Sequence, residues 1–238
     1  MLEKYIKSIS SLSSFTKEDI LVNDFLITKS DELEIYYAPH NEYINDQAKV
    51  FIIGITPGWQ QTSIAYKTAK DSFLLGANFN EIRKSCKLSA RFAGTMRKNL
   101  YEMLDELELN KKLNIKSCES LFYENSNLLH TTSIIPYPVF IKGKNYTGHN
   151  PEILKNDILK YYVDNHFINE IKKNTKALII PLGKSSEEVL KYLISKNLID
   201  KNKCLFGFPH PSGANGHRKK FFEANKEKMK ETIKKWNY

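Results

Sequence analysis

The sequence predicts an α/β fold: a three-layer α/β/α sandwich with a central, mostly parallel four-stranded sheet. Three observations predict it. Short, continuously apolar runs rich in β-branched residues recur along the chain, as strands covered on both faces require. Each run ends at Gly or Pro, and stretches with helical spacing of apolar residues lie between the runs. No apolar run approaches the roughly 20 residues that a membrane-spanning helix needs.

The elements follow in order. Residues 2–27 place apolar side chains near a 3.6-residue period and read as helical. Residues 33–38 (L-E-I-Y-Y-A) read as a short strand stopped by Pro39. Residues 49–55 (K-V-F-I-I-G-I) form a buried strand running into the turn Thr56-Pro57-Gly58. Residues 92–107 make an amphipathic helix with Phe92, Met96, Leu100, Met103, Leu104 and Leu107 on one face. Residues 128–135 form the next strand, stopped by Pro136, and a polar glycine-containing loop follows. Pro151 suits the first position of a helix that runs to about Lys173. Residues 176–182 form the third strand, and the helix after Gly183 has Ser185 near its N-cap. Residues 203–208 form the fourth, ending at Pro209-His210-Pro211, and residues 218–236 form the last helix. The length of 238 residues suits one domain spanning 1–238, with 1–45 as a helical and strand extension packed on it.

Composition narrows the function. The formal charge of +9 and pI near 9.2 favour a polyanionic partner, nucleic acid first. A lysine-rich solubilising surface encoded by an AT-rich genome gives the same excess. The three cysteines, Cys86, Cys118 and Cys204, form no C-x-x-C pair, which argues against a zinc ribbon, a disulfide framework or a four-thiolate iron–sulfur cluster. His40, His149 and His166 lack metal-ligand spacing and read as structural or surface residues. No metal and no organic cofactor is expected. The polar start, residues 1–14, has no signal-peptide core, so a cytoplasmic monomer without a membrane partner is expected.

In such folds ligands bind beyond the carboxyl ends of the strands. Two loops there carry the motifs. Residues 54–61 read G-I-T-P-G-W-Q-Q, a rigid turn that aims backbone amides at a pocket. Residues 210–218 read H-P-S-G-A-N-G-H-R, where Gly213 and Gly216 allow close approach to a phosphate chain and Arg218, Lys219 and Lys220 open a helix. Neither is a P-loop or a G-x-G-x-x-G fingerprint.

Together, in this order and on these strands, the loops resemble the two signature motifs of the uracil-DNA glycosylase superfamily. Its first motif has the form G-x-x-P-G or G-Q-D-P-Y-H; its second has the form H-P-S-P-x-S or N-P-S-G-x-S. The resemblance runs from Val50 to the C-terminus and includes Phe92-Ala93-Gly94 at a helix start and the Leu182-Gly183 turn. It implies hydrolysis of the N-glycosidic bond of a flipped-out base, with a donor stabilising charge on the leaving base.

Carried over by position, His210 is the donor and Thr56 helps place water. Thr56 stands where several branches hold Asp or Asn, and Ile55 where another holds Glu. The usual carboxylate is therefore missing, and water positioning shifts to Gln60, Gln61 or an unplaced residue. Gly54, Ile55, Pro57, Gly58, Trp59 and Gln60 shape the base pocket. Gly58 replaces the Tyr that blocks a 5-substituent in the uracil enzymes. His130 is the closest match to the base-reading Asn, taking Pro136 as anchor. Ser212, Gly213, Ala214, Asn215, His217, Arg218 and Lys219 grip DNA, with Ala214 at the place of the apolar wedge.

The expectation is thus a DNA glycosylase for a non-canonical or modified base, such as a bulky 5-modified pyrimidine, acting on single- or double-stranded DNA. Defence against phage with modified DNA is an extension of it. A nucleic-acid-binding module that has lost catalysis, and an N-glycosidase of free nucleosides or nucleotides, are the alternatives.

Overall fold

In the computed structural model, which describes residues 1–174 and 176–237, the chain opens with helix α1 (Leu2–Ser11), burying Leu2, Tyr5, Ile6 and Ile9. The helical expectation for residues 2–27 holds for that segment and the one-turn helix α2 (Lys17–Ile20). The serine-rich stretch between them does not continue the helix, and Thr16 with Asp19 closes a capping box that starts α2 afresh. The chain then turns extended as β1 (Leu26–Lys29) and β2 (Glu34–Tyr36).

The next strand, β3 (Val50–Gly54), is buried at every position. It is followed by α3 (Trp59–Leu74), α4 (Phe79–Ala90), α5 (Thr95–Glu106) and α6 (Leu109–Leu113). Then come β4 (Leu129–Ser133), β5 (Val139–Ile141), β6 (Lys144–Asn145), α7 (Asp157–Tyr162), α8 (Ile168–Ile171), β7 (Leu178–Pro181), α9 (Lys184–Ser195) and α10 (Arg218–Lys235).

Strands β4, β3 and β7 form a parallel sheet with β3 at its centre. Side chains on a strand alternate between faces, and β3 feeds both. Phe51 and Ile53 join a core with α1, α3, α4, α9 and α7; Val50 and Ile52 join a second core with α5, α6 and α10. Burying a large apolar side chain contributes about 1.5–3 kcal/mol, so the central strand binds both helical layers. A separate antiparallel sheet, in the order β1-β2-β5-β6, packs into the first of these cores through Ile35, Val139 and Phe140.

Two sequence expectations change. The parallel sheet has three strands, not four. Residues 203–208 make one parallel bridge, Ile179 to Cys204, with Leu205 N donating to Ile179 O at 2.8 Å, and Phe208 O accepts from Gly183 N at 3.0 Å. The ladder stops because the chain turns at Gly207 (φ +91°), whose amide donates to the Glu187 carboxylate instead of to a strand. Helix boundaries also move. Phe92 (φ +49°) and Gly94 (φ +81°) are incompatible with helix, so α5 starts at Thr95, not Phe92. The helix expected from Pro151 starts at Asp157, where the Asn156 side chain accepts from Leu159 N at 3.1 Å.

The tight turn between α4 and α5 is clamped by Arg97. Its Nη2 donates to Ser89 O (3.1 Å) and Arg91 O (2.9 Å), and its Nε donates to Arg91 O (3.3 Å). Bonds from a charged donor are worth about 1.5–3 kcal/mol each when broken. Arg97→Met is expected to lower unfolding free energy by about 2–3 kcal/mol in urea titrations; a change near zero would show that the turn holds without it.

Candidate active site

A cavity of about 1000 Å³ opens at the carboxyl ends of β3 and β4, between the loop after β7 and the loop before α10. Parallel strands all present their carboxyl ends there, which is why the motif loops converge. Gly54, Ile55, Thr56, Gly58 and Gln61 line it from the first loop; His210, Ser212, Ala214 and Asn215 line it from the second.

His210 is mostly buried, and burial holds its pKa below the ordinary histidine value. Its Nδ1 accepts from Ser212 N at 3.3 Å. A neutral imidazole whose Nδ1 accepts carries its proton on Nε2, which makes Nε2–H a donor. The loop braces this ring from several sides. Asn215 Nδ2 donates to His210 O (3.1 Å), Ala214 N to Ser212 Oγ (3.2 Å), and Asn99 Nδ2 to Pro211 O (2.8 Å). Arg218 Nη1 donates to Ser212 O at 2.8 Å, so this cation holds the loop as well as adding charge beside it.

Thr56 lines the cavity, but its hydroxyl donates to Tyr137 O (2.7 Å) and accepts from Val139 N (3.1 Å). It ties the first loop to the start of β5. Gln61 caps α3, its Oε1 accepting from Gly58 N at 3.1 Å. Gln60 is exposed and packs beside Gly94. Pro57 is buried beneath the loop, and Trp59 is half-buried with the Lys17 ammonium 5.9 Å from its ring. Neither reaches the cavity wall, nor do Gly213, His217 and Lys219, which remain exposed on the second loop and the start of α10.

Sequence comparison matches residues 42–236 to the family model described as the uracil DNA glycosylase superfamily. The chain belongs to the uracil-DNA glycosylase superfamily. It is 46% identical over 235 residues, 98% of this chain and 92% of the other, to "Uncharacterized protein YoxB" of Bacillus subtilis (strain 168). A 105-residue stretch, 44% of the chain, is 28% identical to 21% of a cysteine–tRNA ligase from Buchnera aphidicola subsp. Cinara cedri (strain Cc). No solved structure matches the chain significantly.

His130, expected at the base edge of this superfamily fold, is placed elsewhere. It lies three residues before the end of β4, next to Phe51, with Nε2 2.7 Å from Glu170 Oε1 and Nδ1 accepting from Asn45 N at 3.4 Å. That register sends it into the core between β4 and α8 instead of into the cavity.

The inner wall is instead made by residues that local motifs did not mark. His40 and Asn41 come from a 3-10 turn, Pro39–Glu42, and Arg91 from the end of α4. Behind them lies Lys87, a fully buried ammonium whose Nζ donates to Asn41 Oδ1 (2.7 Å) and Thr131 O (2.6 Å). Asn41 Nδ2 donates to Pro136 O at 3.0 Å, so its amide is fixed at both ends. Burial pushes Lys87 down to about 7 and Arg91 down to about 10. Burial, then the nearby Lys87 charge, pushes His40 down to about 3. A signal for this wall did exist in the sequence: Lys87 interrupts the apolar face of α4 set by Ile82, Cys86 and Ala90.

These histidines make stability depend on pH. His40, His130 and His210 are all held below the ordinary value of 6.5. Below that value the unfolded chain binds protons that the native state refuses, so the contribution of these rings is full above about pH 6.5 and falls as pH drops toward the folded values. The slope is up to about 1.4 kcal/mol per pH unit for each ring. Urea midpoints are expected to fall between about pH 7.5 and about pH 5, and His40→Gln to make that fall shallower; an unaltered slope would remove His40 from the account.

Proposed function

We propose that the protein is a DNA glycosylase that hydrolyses the N-glycosidic bond of a flipped-out non-canonical or modified base, leaving an abasic site. The observation that carries this reading is the fixed His210 tautomer, a neutral Nε2–H donor on the wall of a large cavity at the strand ends. As the C1′–N bond breaks, negative charge collects on the base. A preorganised donor at the base oxygen stabilises that charge without reorganising. Membership of the superfamily supports a glycosylase-like activity on DNA.

Two features support a large base. A Cβ added at Gly58 would meet nothing within 4 Å, so no side chain walls off that part of the cavity. The volume of about 1000 Å³ is at the upper end of the range for small-molecule sites, about 300–1,000 Å³. A pyrimidine bearing a bulky 5-substituent fits such room, which is the class of base found in some phage DNA.

For the strand, the start of α10 supplies exposed Lys219 and Lys220 and the ring of Phe221, which is 57% exposed at the cavity rim. Ala214 is too small to fill a vacated base site, and an exposed ring beside two cations suits stacking on a base. The commitment of the Thr56 hydroxyl favours one other reading, a binding module without catalysis.

The test is a panel of single- and double-stranded oligonucleotides carrying uracil, deaminated purines or 5-modified cytosines, scored for abasic sites. Release from at least one is expected. His210→Ala should slow it about 10²–10³-fold while folding is retained. Phe221→Ala should weaken DNA binding by about 1–3 kcal/mol in titrations at fixed salt. Salt-dependent binding with no release from any oligonucleotide would end the enzyme reading in favour of the binding module.

A further inference from the structure

Hydrolysis requires a group that takes a proton from the attacking water, and the first loop supplies none. Ile55 is apolar and the Thr56 hydroxyl proton is held by Tyr137 O. Glu187 is the one carboxylate on the cavity wall among the described residues. It is engaged by Gly207 N and lies 3.6 Å from the Lys191 ammonium, so it holds the Gly207 turn. His40 is too deeply buried to accept a proton near neutrality. His210 has no spare lone pair, since Nδ1 accepts from Ser212 N and Nε2 carries its proton.

One imidazole remains. His149 stands exposed on the cavity rim, in the loop between β6 and α7, with Nδ1 3.3 Å from Ser185 Oγ. Ser185 is buried in the first turn of α9. Gly148 brings the two together. It has φ +90°, and a Cβ on it would come within 2.9 Å of Ser185 Cβ and Oγ and within 2.8 Å of Ile55 Cδ1. Ser185 is buried beneath Gly148 and is the hydrogen-bond partner of His149. The same contact seats the His149 loop against the first motif loop at Ile55.

We propose that His149 is the base that deprotonates the attacking water, and that Ser185 is its positioning residue. This assignment rests on the glycosylase reading above. With Nδ1–H donated to Ser185 Oγ, the lone pair of the ring is on Nε2. The water oxygen bonds to C1′ as the C1′–N bond breaks, and the water proton passes to His149 Nε2. The bonding pair stays on the base, held by His210 Nε2–H. The imidazolium then returns its proton to the departed base or to solvent, so the net change is hydrolysis. The ionisable groups that share the cavity with His149 are Tyr146 of its own loop, Lys184 and Glu187 of α9, His210, and His40 and Arg91 of the inner wall.

The experiment combines kinetics and NMR on the full chain. Base release is measured from oligonucleotides carrying uracil, 5-hydroxymethyluracil, hypoxanthine or a 5-modified cytosine, across pH, for wild type, H149Q, H149G and S185A, with thermal melting as the folding check. H149Q should lose about 10²-fold or more in kcat with KM nearly unchanged, and should lose the acid limb of the kcat profile. H149G should regain activity with added imidazole. S185A should show a smaller loss and keep the limb. Long-range ¹H–¹⁵N spectra of histidine-labelled protein should show the Nδ1–H tautomer at His149. The Nε2–H tautomer, or release by H149Q equal to wild type, overturns the base role alone. Wild-type protein that releases no base from any of these oligonucleotides overturns the glycosylase reading and the base role with it.

Discussion

The first motif loop is placed by one constraint: β3 is hydrogen-bonded along both edges and covered on both faces. A strand so enclosed must be apolar at successive positions, and Val50 to Ile53 are. It must also emit its next residues at the end of the sheet, because only there do the helical layers leave room. Pairing continues past the strand, with Ile134 N donating to Gly54 O and Ile135 N to Ile55 O, both at 3.0 Å. The first motif loop therefore inherits the rigidity of the sheet, and the Thr56 hydroxyl extends the same ladder by side chain to Tyr137 and Val139.

The inner wall follows a different logic. A buried ammonium costs several kcal/mol of hydration unless its donors are matched. Lys87 is matched by one backbone carbonyl and one side-chain amide oxygen, and so it orients Asn41. Around it, His40 Nδ1, Arg91 Nε and Thr132 Oγ1 are buried without partners among the described residues. An unmet buried polar atom costs about 1–3 kcal/mol, and three of them on one wall of one cavity concentrate that cost at the site. Stability is spent where a polar ligand would sit, as at other functional sites.

What was legible in the sequence was what is local along the chain. β3 and β7 announce themselves as apolar β-branched runs and β4 as a threonine-containing segment ahead of Pro136, and the motif loops lie directly beyond strand-like segments. Residues 203–208 look like a fourth such run, but the Gly207 turn and the Glu187 bond that interrupt it depend on a helix twenty residues earlier. Counting back from Pro136 places His130 at the strand end, whereas its direction is set by strand register and by Glu170, forty residues away. His40, Asn41, Lys87 and Arg91 meet only after α4 packs against the Pro39–Glu42 turn. His149 reads as an ordinary surface histidine until Gly148 lays its loop on Ser185.

The residues with the most reagent-like chemistry in the motifs thus divide into two kinds. Thr56, Gln61 and Arg218 spend hydrogen bonds on the loops that carry them, and so act as braces. His210 makes no bond through Nε2 among the described residues, while Arg218, with Asn99 and Asn215, fixes the backbone from His210 to Ser212. A donor acts well on a developing charge only when it need not move to meet it. On this argument the loss of a polar group with a free proton from the first loop does not by itself mean the loss of chemistry. It transfers the loop from reacting to holding. On the glycosylase reading proposed above, a rigid first loop with Gly58 open beside it admits a larger base without loosening the His210 donor.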